Sequence, residues 1–369
     1  MKRSIFLGLL LCMGMAVAAQ TLKTCEFYVG TFTSEGSEGI YLCTFHPETG
    51  ELNTKMVFKG LDNPNFLRKS ADGRFMYAVS RPPRAIDPEG GAVSAFGINK
   101  DGSLRFINKQ SSHGNDPCYV DVTGDNSFLA VANYGGGSVA LYPLDKDGSI
   151  KPAGCVIPHH GSGPHPRQNK AYAHSIRFSA NSGWVYAADL GSDRLFAYRF
   201  DQAGNRLVPD EQMNMLLPPG SGPRHFEFTR DGTYCYVINE LGSTVTVFRN
   251  EADKFAEIQN ISTLPSGFSG MNYGADIHMS ADGKLLYASN RGHNSIVVFR
   301  IEQDGKLTPI THVSTQGNWP RNFVLVPESP YMLVANQRSH NITVFRLESG
   351  IPVFTGRELK IPAPVCLVF

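Results

Sequence analysis

Residues 228–250 read FTRDGTYCYVINELGSTVTVFRN, and residues 279–301 read MSADGKLLYASNRGHNSIVVFRI. Both follow one plan. A short strand runs into a turn of the type SADG or TRDG. A second strand, rich in β-branched and aromatic residues, ends in Asn. A loop and a third strand ending in VFR follow. Three further stretches repeat the plan: VTGDNSFLAVANYGGGSVALYPL, FSANSGWVYAADLGSDRLFAYRF and VPESPYMLVANQRSHNITVFRL. Looser copies are SADGRFMYAVS, which holds Asp72, and FYVGTFTSEGSEGIYLCTF, which holds Val29.

The end of each second strand serves as a register mark: Gly30, Ser80, Asn133, Asp189, Asn239, Asn290 and Asn336. Successive marks lie 50, 53, 56, 50, 51 and 46 residues apart. Seven units of that period have the length of propeller blades. The alternation within each unit suits four-stranded antiparallel blades. No segment keeps a 3.6-residue period, which excludes a helical solenoid. The fold class expected is all-β, a seven-bladed β-propeller.

The chain ends identify the ring closure. Inner strands open with PNFLRKS, PCYVDVT, PRHFEFT and PRNFVLV, and the last six residues, PVCLVF, open the same way. The continuation of that last unit is FYVG at the start of the repeat region. The C-terminal strand is therefore expected to complete blade one, which leaves no unpaired edge.

The first residues, MKRSIFLGLLLCMGMAVAAQ, begin with Lys2 and Arg3, continue in an apolar run over 5–17 and end in small residues. This reads as a cleaved secretory signal over 1–19, too short for a good membrane span, ahead of one propeller domain over 20–369. Export, to a periplasm, is the expected destination, with no stable membrane insertion after cleavage. A formal net charge of +1 argues against nucleic-acid binding. Cys25, Cys43, Cys118, Cys155, Cys235 and Cys366 form no CxxC and are expected as buried free thiols, not a metal cluster. The chain is expected to be a monomer or small homo-oligomer with no cofactor and no metal.

Strand parity gives a functional face. The loop entering each first strand and the loop leaving each second strand lie on the same side of a meander, and the SADG turns lie on the other. After the residue that opens the inner strand come Val365, Asn65, Cys118, His174, Arg224, Ala275 and Arg321. After the second-strand mark come Thr31, Arg81, Tyr134, Leu190, Glu240, Arg291 and Gln337. His225, Asn290 and Asn336 stand beside these positions. Rim loops collect charge without a function, but four arginines with one Glu and one His suit a hydrated anion.

At these residues the chain resembles the propeller lactonases of the 6-phosphogluconolactonase type. The resemblance is carried by GSGPRHFEF with NELGST, by SNRGHNSI, by WPRNF with ANQRSHNITVF, and by GSGPHPRQNKAYAHSIRF, and it covers the chain from YVGTFT onward. The related muconate lactonising enzymes share the fold. The resemblance implies a pocket lined by His174, Arg224, Arg291 and Glu240. The family often has His-x-His before the serine of HSI, whereas this chain has Tyr172 and then His174.

The activity so implied is hydrolysis of a sugar lactone, an anionic small molecule. Glu240 or His174 is expected to activate water, and Arg224 to steady the oxyanion. Arg291 and Arg321 are expected to hold a phosphate or carboxylate, with His225, Asn290, Asn336 and Arg81 completing the binding set. Two other readings stay open: a lactonising isomerase, and a non-catalytic propeller that binds glycan or protein. Aromatic residues at the rim are the expected mark of the last.

Weaker signals have plainer readings. His159-His160 and the glycines at 161 and 163 suggest a flexible loop. Gly135-Gly136-Gly137 has no helix after it and is a turn, not a phosphate loop. Asn260-Ile-Ser and Asn341-Ile-Thr match a glycosylation pattern too short to carry weight. Asp72, Asp231 and Asp282 recur at one turn, which makes them turn chemistry. Glu240, Asn239 and Asn290 offer one carboxylate, a poor calcium site.

Overall fold

The computed structural model describes residues 23–82, 90–179, 183–252 and 254–369. The leader over 1–19 lies outside them. Seven antiparallel sheets follow one another round a ring, six with their strands in sequence order and blade one with the C-terminal strand innermost. Blade four gains a short extra strand, Met215–Leu216, against the start of Arg194–Asp201. Two short 3₁₀ turns, Thr33–Glu35 and Glu211–Met213, are the only helical elements among the described residues.

Period-two alternation builds the core. Along Cys25–Thr31, Phe27 and Val29 pack against blade seven, while Tyr28 packs against blade two. The same split recurs at every blade, so seven apolar clusters each fill one blade-to-blade interface. A strand buried on both faces reads as a near-continuous apolar run, which is how FMYAVS and FLAVAN read. A tyrosine in the second strand adds a polar tie. The Tyr28, Tyr77, Tyr236 and Tyr287 hydroxyls donate to the carbonyls of Gly102, Gly148, Gly305 and Gly350 in the following blade.

The SADG turns behave as turn chemistry requires. Asp72, Asp231 and Asp282 each accept from the Ser or Thr two residues before and the backbone N–H two residues after. The following Gly73, Gly232 and Gly283 sit at φ of 72°, 73° and 70°, the left-handed region that glycine tolerates.

Blade one closes the ring. Its inner strand is Pro364–Val368, paired with Cys25–Thr31 so that Tyr28 faces Val368 and Val29 faces Leu367. Leu367 N also donates to Asn322 Oδ1 of blade seven at 2.7 Å. The six cysteines of the described residues are free; four are buried, and Cys25 and Cys155 are half-buried.

Candidate active site

The inner strands carry a bulge at one level of the ring. In blades four, five and seven, Ala173, Pro223 and Pro320 face Asp189, Asn239 and Asn336. The next pairs are Ser175–Ala188, His225–Ile238 and Asn322–Ala335. His174, Arg224 and Arg321 are the extra residues, left out of the ladder. Cys118 and Val365 hold the same place in blades three and one. In blade six the pairing skips from Gly274 to Ile277. A bulge re-aims a side chain that the pleat would point elsewhere. At this level the charged side chains of several blades meet.

Glu240, directly after the strand Tyr234–Asn239, is the centre of the meeting. Its Oε2 lies 2.6 Å from Arg291 Nη2, 3.2 Å from Arg224 Nε and 3.9 Å from His174 Nε2. Its Oε1 accepts from Arg167 Nη2 at 2.8 Å. The Arg224 contact has ion-pair range without hydrogen-bond alignment. Arg224 and Arg291 also donate to the carbonyls of Ala275 and Gly274. His174 Nδ1 stands 3.9 Å from Cys118 Sγ. Glu240, Arg224, Arg291 and His174 are all less than 5% exposed.

Aromatic side chains surround this cluster. Tyr134 stacks on Tyr172 with centroids 4.8 Å apart, stands edge-on to His174, and takes a hydrogen bond from Arg167. Arg167 lies over Tyr273, and Arg291 lies 5.5 Å from the Trp319 ring centre. Trp319 holds φ at 69°, a costly conformation for a bulky residue and one that clusters at functional sites. Arg81 and Arg321 both stand over the Phe32 ring, at 4.8 and 5.3 Å. The rim therefore carries aromatic residues as well as the Glu-centred arginines, so aromatic content does not separate an enzyme from a binding propeller here.

Electrostatics set the protonation states. Burial pushes the Glu240 carboxyl up, but Arg291, His174, Arg224 and Arg167 outweigh it and hold it well below its ordinary value. Burial and Arg224 hold His174 well below 6.5, so the imidazole is neutral near pH 7. Arg224 is lowered to about 10 by burial and by Arg291. Burial, Arg224 and Arg291 lower Arg321, and among the described residues no carboxylate pairs with it. Arg81 has Asp116 at 3.4 Å. Five arginines thus stand against Glu240, Asp116 and, beside Arg224, Asp276, leaving an excess of positive charge in buried surroundings.

Asn290 and Asn336 are 0% exposed, and their amides are engaged elsewhere. Asn290 Nδ2 donates to Thr263 O and its Oδ1 accepts from Thr263 Oγ1 and Asn272. Asn336 Nδ2 donates to Thr343 Oγ1 and Thr315 O. Both amides hold the loop arriving from the preceding blade, as Asn133 does through Ser112 O. Asn239 donates to Thr244 and Thr246. Asn290 has both amide atoms committed, and the arginines round Glu240 would repel a metal ion. The loop at His159 is pinned, which corrects the flexible-loop reading. His159 Nδ1 lies 2.8 Å from Asp189 Oδ2 and its Nε2 lies 2.6 Å from Tyr198 Oη. Further along, Gln168 is fully buried and donates to Leu190 O and Asp193. This anchored loop carries Arg167, which the repeat alignment could not reveal because the loop lies outside the repeat.

Residues 26–369 match the family described as Lactonase, 7-bladed beta-propeller. The chain is 36% identical over 348 residues to a 6-phosphogluconolactonase of Bacillus subtilis strain 168, covering 93% of this chain and 97% of that one. It is 35% identical over 345 residues to a 6-phosphogluconolactonase of Formosa agariphila, covering 91% and 95%. A solved structure of a periplasmic gluconolactonase from Pseudomonas aeruginosa superposes with a TM-score of 0.89 at 32% identity, covering 94% of this chain and 98% of that one. By the match over nearly its whole length, the chain belongs to the seven-bladed β-propeller lactonase family.

Proposed function

We propose that the protein hydrolyses a sugar δ-lactone, in the manner of a 6-phosphogluconolactonase, turning 6-phosphoglucono-δ-lactone into 6-phosphogluconate. The observation that carries this reading is the buried, arginine-rich cluster gathered on Glu240. Such a cluster, taken as the floor of a substrate cleft, suits a substrate that is anionic and a reaction that creates further negative charge.

Water attacks the lactone carbonyl, and the carbonyl oxygen becomes an oxyanion. Neutral His174 takes a proton from the water, and Glu240 stabilises the imidazolium that forms. Arg224 donates to the oxyanion. The ring C–O bond then breaks, and the ring oxygen leaves as an alkoxide that takes the proton back from His174. The carboxylic acid product loses a proton to solvent. Between the two candidate bases, Glu240 is the weaker, since the surrounding arginines hold its carboxyl well below its ordinary value; its role is electrostatic. Arg291 and Arg321, with Arg81, grip the phosphate and sugar oxygens, while His225 is committed to Asp276 and Arg224.

A second reading rests on the N-terminal leader. An exported enzyme would meet an unphosphorylated sugar lactone outside the cytoplasm, and the cationic cleft would then serve the oxyanion and the carboxylate product. Rates on glucono-δ-lactone and its 6-phosphate, measured on purified protein alongside cell fractionation, decide between the two. Preference for the phosphate and a cytoplasmic location support the first reading. The reverse pattern supports the second, and no acceleration of either lactone rejects both.

A further inference from the structure

The arginines of the cleft hang on a carboxylate that the repeat alignment passes over. In blade six the ladder skips from Gly274–Asn290 to Ile277–Ala288, which leaves Ala275 and Asp276 outside it. Asp276 is 3% exposed. Its Oδ1 accepts from His225 Nδ1 at 2.7 Å. Its Oδ2 accepts from Asn322 Nδ2, from His278 Nε2 at 3.0 Å and from Phe323 N at 3.3 Å. A carboxylate has about four acceptor sites; here Oδ2 takes three donors and Oδ1 one, from blades five, six and seven.

Its partners lie next to the bulged arginines. His225 follows Arg224, whose Nη1 stands 3.2 Å from His225 Nε2 and also donates to the carbonyl of Ala275, the residue before Asp276. Asn322 follows Arg321, and its Oδ1 accepts from Leu367 N in the closing strand at 2.7 Å. Two bulges on different blades are thus referenced to one charge. The contacts continue from His278 Nδ1 to Glu227 Oε1 at 3.2 Å, which suggests a proton path. His278 argues against that use. Asp276 and Glu227 overcome its burial and raise it to about 10, so it keeps its proton and acts as a fixed cation.

We propose that Asp276 is the positioning residue of the arginine cleft: through His225 it sets the place of Arg224, and through Asn322 it sets the place of Arg321. The proposal rests on lactone hydrolysis in that cleft, but part of its test does not.

Asp276→Asn keeps the shape and replaces one acceptor oxygen by a donor that faces the Asn322 amide. A misplacement of about 1 Å costs up to roughly 10²-fold in rate, so kcat is expected to fall about 10–100-fold in a variant that still unfolds cooperatively. Adding Asn322→Asp restores an acceptor–donor pair between the two positions and still accepts from Leu367 N. The double variant is expected to regain about tenfold over the single one, a rescue that loss of general stability would not produce. Independently of activity, ¹⁵N NMR of wild-type His225, assigned with His225→Gln, should show a neutral ring with its proton on Nδ1. A wild-type His225 protonated on Nε2 alone overturns the proposal, as does a folded single variant within twofold of wild type. A folded double variant no better than the single one also overturns it. If the single variant does not fold, the wild-type tautomer and the double variant decide. If wild type hydrolyses no lactone, the lactonase reading falls and the tautomer still tests the His225 anchor.

Discussion

Replacing Glu240 by Gln removes the one charge on which the cleft converges and keeps its shape. Glu240 is 3% exposed and lies 2.6 Å from Arg291, 2.8 Å from Arg167 and 3.2 Å from Arg224. Taking one partner from a buried ion pair costs about 3–5 kcal/mol. The Arg167 side chain is 40% exposed, so water replaces its share, and the lower half of that range is expected. Unfolding entropy of about 2.1 cal/mol/K per residue gives about 0.7 kcal/mol/K for a chain of this size, so Tm falls by about 4–6 °C. The fold survives. The effect on catalysis is separate. His174 loses the carboxylate that favours its imidazolium, and assisted proton transfer is worth about 10²–10⁴-fold. The cleft also becomes more positive, so an anionic product binds no more weakly. A proton-release assay should therefore show kcat down by about 10²-fold or more with KM unchanged or lower. An unchanged kcat refutes the role given to Glu240; a raised KM with unchanged kcat reduces it to binding.

The other expectations follow from neighbouring groups. Among the described residues no carboxylate pairs with Arg321, so Arg321→Gln tests anion grip more cleanly than Arg291→Ala, which also releases Glu240. Loss of charge-assisted bonds worth about 1.5–3 kcal/mol should raise KM for the phosphorylated lactone about 10–100-fold, with kcat nearly kept. His174 is held well below 6.5 and Glu240 well below 4.5. The acid limb of kcat/KM should therefore fall below pH 6, and a limb at the ordinary histidine value contradicts the assignment. His278 is raised from 6.5 to about 10, so its stabilisation is complete below pH 6.5 and lost as pH rises through 10. Melting curves across that window should flatten in His278→Asn relative to wild type. Deleting residues 364–369 removes the inner strand of blade one and its contacts to blade seven. Unchanged melting behaviour after that deletion would refute ring closure.

The fold was legible because the blades repeat. The 46–56-residue period and the PVCLVF ending each follow from a unit that must bury two faces and close a ring. The site was legible where blades differ. His174, Arg224 and Arg321 stand at one level where other blades have Cys118 or Val365, and the Glu240 and Arg291 positions carry Gln337 or Leu190 elsewhere. The recurring Asn marks have the opposite meaning. A residue repeated in four blades does a job every blade needs, and Asn290 and Asn336 tie loops between blades. Arg167 was missed by the blade comparison because its loop lies outside the repeat, although the stretch GSGPHPRQNKAYAHSIRF that carries the resemblance contains it. Asp276 was hidden by the irregular pairing in blade six. The bulges themselves leave little trace in alternation, because an extra residue shifts the pattern within a strand only six or seven residues long.

The most direct measurement is proton release near neutral pH from 6-phosphoglucono-δ-lactone and glucono-δ-lactone, with wild-type protein and Arg224→Ala side by side. Wild type should accelerate at least one lactone well beyond its spontaneous opening. Arg224→Ala, folded by its melting curve, should lose about 10²–10³-fold in kcat, the usual cost of one oxyanion donor. Acceleration that survives loss of Arg224, or none by wild type, would contradict hydrolysis in the arginine cleft.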